Sequence, residues 1–453
     1  MDFKMNLKKS RRAKSVLFIL VCTALLCGLL PSLAESSDLD GAILKEMQAR
    51  QIPSVAACII KNAEIAWMGS YGLADKENSI PATSQTTYLL ASLSKTIIAT
   101  AVMQIAEKGL IDIDQDIGMY LPFPVRNPHH PQSIVTPRML LTHSSGLAGP
   151  KTDDELPGFY DWFPPDAAPP LGQTLMDYLL PEGSFYVPAV WQDSAPGHRE
   201  LYSNLGATLL AYMVEFVSGE EFSSYCRNHI FLPLGMPGTS YKIADLNSEN
   251  LAVWYLENTQ RIAHFTRRDY PAGQVKSSVS ELAHFLAAWM NGGAYKGVRI
   301  LNSNTVDEAL RIHNPASGLC IIWNLTIGDW YGHSGGGNGA STYMEFHRQD
   351  KVGLIILSNM YHKSENPIHP PAGKIFGLIR NFANQFRIPA YTPFFRKRSQ
   401  PISPSAPAVI GNILFFKKRG SLADFRRLWR LEQNQGDIPT LSIQALNRSQ
   451  PAR

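Results

Sequence analysis

Residues 90–110 read LASLSKTIIATAVMQIAEKGL, and they carry the clearest structural pattern in the chain. Apolar side chains at 97, 98, 101, 102 and 105 repeat with the spacing of one helical face, and Gly109 closes the run. We therefore predict a helix over residues 96–110. Ser92 and Lys95 are three residues apart at its start, which places their side chains on one face, about one turn apart.

The spacing of Ser92 and Lys95 suits an activated nucleophile. A serine hydroxyl attacks poorly until a neighbouring base removes its proton. Lysine can be that base when burial or nearby positive charge lowers its pKa. A helix N-terminus also favours the developing anion. Ser92 is the only serine with lysine at the third following position. Taken alone, however, the pattern fits a helix-capping serine beside a solvated lysine equally well.

A second polar motif, Tyr202-Ser203-Asn204, precedes another predicted helix over residues 205–217. A tyrosine hydroxyl held near Lys95 could relay a proton, and the Asn204 amide could bind a substrate carbonyl or hold the lysine. The motif also has a purely structural interpretation, in which the tyrosine belongs to the core and the asparagine caps the helix.

A third motif, His333-Ser334-Gly335-Gly336, precedes two predicted strands at 342–346 and 352–357. Glycines there would let backbone N–H groups approach a bound oxyanion. The alternative is a flexible glycine turn without a role in chemistry.

Taken together and in this order, the three motifs resemble those of the class C β-lactamase-like serine hydrolases. That group also holds penicillin-binding carboxypeptidases, D-aminopeptidases and esterases. The resemblance covers roughly residues 38–388 and is supported by three further stretches, LLTHSSGL at 140–147, PLGM at 233–236 and PAG at 271–273. It implies an α+β fold of the serine β-lactamase and penicillin-binding-protein kind, with an antiparallel five-stranded sheet flanked by helices and a mostly helical region.

The resemblance also implies roles for individual residues. Ser92 would be the acylated nucleophile, and Lys95 with Tyr202 the acid/base pair. Substrate binding would fall to the polar groups of the second and third motifs, namely Asn204, His333, Ser334 and Gly335. The backbone N–H groups of Ser92 and Gly336 would form the oxyanion hole. The scheme needs no cofactor and no metal.

His333 is a departure from the pattern of many relatives, which carry a lysine there to meet a substrate carboxylate. Because histidine is only partly charged near neutral pH, we expect the chain to cleave esters, amides or D-amino-acid peptides. A D-alanyl carboxypeptidase or a β-lactamase is the alternative. An alternative of another class is a catalytically silent protein that binds cell-envelope components.

The remaining pattern predicts one sheet built from distant parts of the chain. A helix over 39–47 and a hairpin of 54–60 with 65–71 lie near the start, and helices over 279–290 and 373–386 lie near the end. Residues 150–200 lack a sustained period, and a stretch that long suggests a lid. Its aromatic residues are expected to cover the pocket: Tyr160, Trp162, Phe163, Tyr186 and Trp191.

Both ends of the chain are basic, whereas the overall net charge is only +4. A basic region before the apolar run 16–30, followed by small residues up to Ala34, predicts a signal peptide over 1–34 and export to the periplasm or medium. An uncleaved membrane anchor is the alternative. The hydrolase domain is expected over 35–390, and a basic extension over 391–453 that could contact membrane or cell wall.

The composition excludes several other classes. The charge distribution does not fit a nucleic-acid binder, so a small ester, amide or short peptide is the expected partner. Beyond the predicted cleavage site only three widely spaced cysteines remain, Cys58, Cys226 and Cys320. They form no disulfide framework and no zinc pattern, and we expect them to be small buried hydrophobic residues.

Overall fold

A seven-stranded antiparallel sheet forms the centre of the fold. Its inner strand at Ser54–Lys61 pairs on one side with a strand from the other end of the chain, Val352–Ser358, and on the other side with the next strand along the chain, Glu64–Asp75. The computed structural model describes residues 33–148, 156–315, 317–362, 366–369 and 373–387. The strands run in the order β10-β11-β12-β13-β1-β2-β3. Their bounds are Ser54–Lys61 (β1), Glu64–Asp75 (β2), Ile80–Pro81 (β3), Asn324–Thr326 (β10), Trp330–Gly337 (β11), Ala340–His347 (β12) and Val352–Ser358 (β13).

Strand β1 is apolar throughout because both of its faces are covered. Ala56, Cys58 and Ile60 point into one hydrophobic core, whereas the alternate residues, among them Val55 and Ile59, point into a second core on the other face. The sheet is therefore a layer between two cores. This arrangement explains why the sequence shows an unbroken apolar run rather than alternation.

Helices cover both faces of the sheet. Helices α1 and α10 contribute to the second core, and α8 packs with the mostly helical region on the first. The helices are Leu33–Ala49 (α1), Ser94–Glu107 (α2), Pro137–Leu141 (α3), Leu171–Leu179 (α4), Asn204–Ser218 (α5), Phe222–Cys226 (α6), Tyr270–Gly273 (α7), Val279–Met290 (α8), Ser303–Ala309 (α9) and Lys374–Asn384 (α10). Three two-stranded sheets lie apart from the large one in the described part of the chain: Thr87–Leu89 (β4) with Lys276–Ser278 (β7), Trp254–Tyr255 (β5) with Arg261–Ile262 (β6), and Ala294–Tyr295 (β8) with Val298–Arg299 (β9).

The fold class predicted from the sequence is confirmed, with two corrections. The sheet has seven strands rather than five, because the short edge strands β3 and β10 add to the five long ones. Residues 333–336 are not a turn before a strand pair. They lie within β11 and pair with β12, where Gly336 is opposite Ser341. A run of glycines is a weak strand signal, and pairing with a β-rich neighbour overrides it.

The described residues leave the predicted leader and extension untested, because 1–32 and 388–453 lie outside them. Within the described part, no helix is both long and apolar enough to cross a bilayer. The three cysteines beyond the leader are free and buried, as expected.

Candidate active site

Ser92 lies in a single 3₁₀ turn, Ala91–Leu93, that leads directly into α2. Ala91 has a φ of +48°, so the chain bends sharply just before the serine. Lys95, one turn later, has no exposed surface. Its Nζ donates one hydrogen bond to Ser92 Oγ at 3.0 Å and another to the carbonyl of Ala272 at 2.8 Å. The helix therefore brings together the two residues that the sequence paired.

Burial changes the acid–base behaviour of Lys95. Desolvation lowers its pKa from 10.5 to about 7, the nearby Asp269 carboxylate opposes that shift, and the Arg267 guanidinium adds to it. At neutral pH a large fraction of Lys95 is therefore uncharged. An uncharged amine can accept the serine proton, which a solvated lysine cannot do.

Tyr202 completes a three-residue contact around the serine. Its hydroxyl donates to Ser92 Oγ at 2.8 Å, and Lys95 Nζ lies 4.8 Å from the centre of its ring. About half of the side chain is exposed. Desolvation of its hydroxyl nevertheless raises the pKa of Tyr202 far above the ordinary value. Tyr202 therefore stays protonated near neutral pH and serves as a hydrogen-bond donor.

The start of α5 fixes Tyr202 and Asn204. Ser203 caps the helix, since its Oγ accepts from the Gly206 N–H at 3.0 Å. The structural alternative in the sequence analysis has Asn204 cap the helix, but the cap is Ser203. Asn204 Oδ1 is buried and has no hydrogen-bond partner in the described structure. Burying an amide oxygen without a hydrogen-bond donor costs free energy. Asn204 Oδ1 is therefore free to accept a hydrogen bond from a ligand or from a side chain that moves towards it.

His143 supports this arrangement, although the sequence assigned it no role. Its ring contacts the Tyr202 ring at a tilt of 42°, with centres 4.6 Å apart, and its Nδ1 accepts from the Ser203 N–H at 3.3 Å. Burial lowers the pKa of His143 to about 3, and positive charge on Lys95 adds to the effect. A neutral imidazole thus supports the second motif from behind. The stretch LLTHSSGL can be recognised in the sequence, but the contact of His143 with Ser203, 60 residues further along the chain, cannot.

Strand β11 approaches the serine through Gly335. A Cβ on Gly335 would lie 2.4 Å from the Leu90 carbonyl oxygen and 3.1 Å from the Ser92 nitrogen. Thr342 on β12 joins the same contact, since its Oγ1 donates to the Leu90 carbonyl at 2.7 Å. Only glycine leaves room for the strand to pack this closely against the turn that carries Ser92.

His333 and Ser334, two further members of the third motif, do not lie where the sequence analysis expected them. His333 is buried, and its Nδ1 lies 2.7 Å from the Ser334 carbonyl oxygen. Desolvation, reinforced by Lys95, lowers its pKa to about 3. Burial therefore disfavours the charged form of His333 more strongly than the sequence analysis expected. Ser334 is exposed on β11, and neither residue lines the cavity described next.

A cavity of about 190 Å³ opens beside Ser92. Its wall includes Asn204 and Gly336, so the structure brings these two predicted site residues to the nucleophile. The other lining residues are Leu89, Ala91, Tyr160, Phe265, Arg267, Ala272, Gly273, Gln274, Gly337 and Asn338. Of the aromatic segment only Tyr160 lines it. Trp162 stacks on Phe265 at 4.3 Å, whereas Trp191 is buried in the core rather than placed over the pocket.

An ion pair next to the cavity was not foreseen. Arg267 Nη2 donates to the fully buried carboxylate of Asp269 at 3.0 Å. Both residues immediately precede the PAG stretch that the sequence singled out. Nothing in the local sequence distinguishes Arg267 from the adjacent Arg268, because its importance comes from the distant elements that fold around it.

The fold and this site define a serine-centred pocket of the β-lactamase and penicillin-binding-protein kind. Residues 39–374 match the family model described as Beta-lactamase, and the chain belongs to that family. Protein flp of Staphylococcus aureus (strain N315) is 23% identical over 333 residues, which are 71% of this chain and 63% of that protein. The chain thus spans less than two thirds of that relative.

Two solved structures show the same fold. A class C β-lactamase superposes with a TM-score of 0.58 at 20% identity, covering 78% of this chain and 95% of the other. EstCE1, described as a hydrolase with promiscuous acyltransferase activity, gives a TM-score of 0.60 at 17% identity, covering 78% of this chain and all of the other. At such identities the likeness concerns the fold alone, so the chemistry has to be argued from the site.

Proposed function

We propose that this chain is a serine hydrolase that cleaves an ester, an amide or a D-amino-acid peptide through an acyl-enzyme on Ser92. One observation carries the proposal. Ser92 Oγ accepts hydrogen bonds from both Lys95 and Tyr202, at 3.0 and 2.8 Å, beside a cavity large enough for a small acyl group. A serine that only caps a helix needs neither of these two hydrogen-bond donors.

The protonation states of the three groups suggest how the steps proceed. Neutral Lys95 accepts the Ser92 proton as Oγ forms a bond to the acyl carbon. The bond from that carbon to the leaving atom then breaks, and the leaving atom takes a proton that Tyr202 relays from Lys95. Water attacks the acyl carbon, and its proton passes through the same pair to Ser92 Oγ. The carbon–Oγ bond breaks, and the acid leaves. Backbone N–H groups of Ser92 and Gly336 are proposed to stabilise the oxyanion.

The neutrality of His333 supports esters and amides over penicillins and D-alanyl peptides. With a pKa lowered to about 3, His333 offers no fixed positive charge to a carboxylate on the leaving-group side. The carboxypeptidase or β-lactamase alternative shares the fold but calls for this positive charge, which His333 does not supply. The silent binder is disfavoured because a protein that only binds has no need for a neutral buried lysine at the serine.

A substrate panel tests the proposal. Purified protein should hydrolyse aryl esters faster than a chromogenic cephalosporin or a D-alanyl-D-alanine peptide, and Ser92→Ala should show none of these activities. Turnover of the cephalosporin at the rate of the best ester would favour the β-lactamase alternative. Absence of any turnover, together with binding of cell-wall fragments, would favour the silent binder.

Export is a separate part of the proposal and has its own test. The basic start, the apolar run and the small residues before Glu35 support it. Intact mass of the protein recovered from the periplasm or medium should place its N-terminus near Glu35. A form that begins at Met1 and stays in the cytoplasm would contradict export without affecting the proposed chemistry.

A further inference from the structure

Arg267 is the one charged side chain among the described residues that line the cavity beside Ser92. Two contacts hold the Arg267 side chain more firmly than is usual for an arginine near the surface. Its guanidinium carbon lies 4.9 Å from the centre of the Tyr160 ring, and its Nη2 is paired with the fully buried Asp269. The side chain is less than a quarter exposed. Because this cation is already fixed at the wall of a small pocket, it loses little conformational freedom when it binds a ligand.

The ion pair with Asp269 does not use up the donors of Arg267. Arginine has five N–H donors, and the pair engages Nη2 alone. The Nε–H is buried and finds no partner among the residues that the structure describes. Leaving a buried charged donor unpaired is expensive. Because Arg267 lines the cavity, its remaining N–H groups can meet a ligand there, and they would bind an anion more strongly than a neutral group.

The position of Arg267 tells which part of a substrate it would meet. The leaving group has to stay near Tyr202, which supplies its proton, and Tyr202 does not line the cavity. The cavity is bounded instead by Asn204, Gln274 and Gly336. The group that occupies it is therefore the acyl part. A volume of about 190 Å³ accommodates a short chain, since one water molecule takes roughly 30 Å³ in the liquid.

We propose that the acyl part of the substrate carries a carboxylate that binds Arg267, as in a monoester or monoamide of a short dicarboxylic acid. This inference rests on the proposed function and names its substrate class. It does not conflict with a neutral His333, which does not line the cavity. The enzyme would accept an anionic acyl group and reject an anionic leaving group. Charge-assisted hydrogen bonds to a carboxylate change affinity by about ten- to a hundredfold.

The test compares two esters that differ in one charge. The 4-nitrophenyl monoester of glutaric acid carries the carboxylate, and the same ester of glutaric acid monoamide is its neutral counterpart of equal size. For the unmodified protein, kcat/KM should favour the carboxylate ester by about ten- to a hundredfold. Arg267→Gln should bring that ratio to about one. Arg268→Gln is the matched control, since Arg268 contacts Phe163, Phe185 and the Gly158 carbonyl, and it should keep the ratio.

A second variant guards against loss of folding. Arg267→Gln leaves the buried Asp269 without its partner, so the double variant Arg267→Gln/Asp269→Asn, which removes both charges, should also lose the preference. Equal rates for both esters in the unmodified protein, or an unchanged ratio in either variant, would overturn the inference while leaving the hydrolase proposal intact. If neither ester is cleaved and Ser92 takes no acyl group, the proposed function itself fails.

Discussion

Lys95 Nζ lies 3.0 Å from Ser92 Oγ although the lysine has no exposed surface. A lysine that is removed from water in this way is driven towards its neutral form, and the pKa falls to about 7. Most buried lysines would be a liability for the fold. Here the same desolvation produces a base beside the nucleophile, at a pH where a solvated lysine would be fully protonated.

The first prediction is a pH dependence. Only the neutral form of Lys95 can accept the serine proton, so kcat/KM for a neutral ester should rise as pH increases through about 7 and then level off. The Asp269 carboxylate raises the pKa of Lys95, so Asp269→Asn should move this limb to lower pH. Initial rates from pH 5 to 9 measure both. A rate that does not vary over this range would rule out Lys95 as the base.

The second prediction concerns Tyr202. Tyr202→Phe removes the hydroxyl that donates to Ser92 Oγ but keeps the ring that contacts His143. We expect kcat to fall by about 10²- to 10⁴-fold, the usual contribution of a positioned proton donor, with little change in thermal midpoint. Lys95→Ala should cost a comparable amount, and the double variant little more, because the two residues act as a unit. A loss below threefold in Tyr202→Phe would exclude a relay role.

The third prediction concerns the close approach of β11. Gly335→Ala would force a methyl group to within 2.4 Å of the Leu90 carbonyl oxygen. The strand has to move away from the turn that carries Ser92, so activity should fall sharply and the free energy of unfolding should drop by about 1–3 kcal/mol. Gly337→Ala on the same strand meets no atom within 4 Å and should leave the thermal midpoint unchanged. An active, fully stable Gly335→Ala protein would contradict the packing described here.

The fourth prediction concerns His333. His333→Lys places an ammonium where relatives that recognise carboxylates have one, so the rate with a cephalosporin or D-alanyl peptide relative to a neutral ester should rise about tenfold or more. Because the pKa of His333 is lowered to about 3, His333→Asn should leave the pH profile between 5 and 9 unchanged. A profile that loses a limb in His333→Asn would show that the imidazole titrates in that range after all.

Much of the fold could be predicted because local pattern and tertiary environment agree. Strand β1 is apolar along its length and buried on both faces, and helices α2 and α8 are rich in apolar residues and largely buried. Their observed bounds fall within a few residues of those predicted. Strand β11 was missed because its glycines have no side chains to show alternation. The two short edge strands, with two and three residues, are too brief to give a period.

Part of the site could be predicted from the sequence, and the reason that the rest could not is physical. Motif order pointed to Ser92, Lys95 and Tyr202, and the structure places them in contact. The neutral state of His333 and the ion pair of Arg267 with Asp269 could not be read from the sequence. Both depend on burial by elements that are remote along the chain, and burial of a polar side chain has no local signature.

The central claim is that Ser92 forms a covalent acyl-enzyme, and labelling tests it most directly. The protein should be incubated with a fluorophosphonate or a slowly hydrolysed acyl donor at pH 8, where Lys95, with its pKa of about 7, is mostly neutral. Intact mass and peptide mapping should then show one added group on Ser92, with none on the Ser92→Ala protein. A label on another serine, or hydrolysis by Ser92→Ala at the unmodified rate, would contradict the claim.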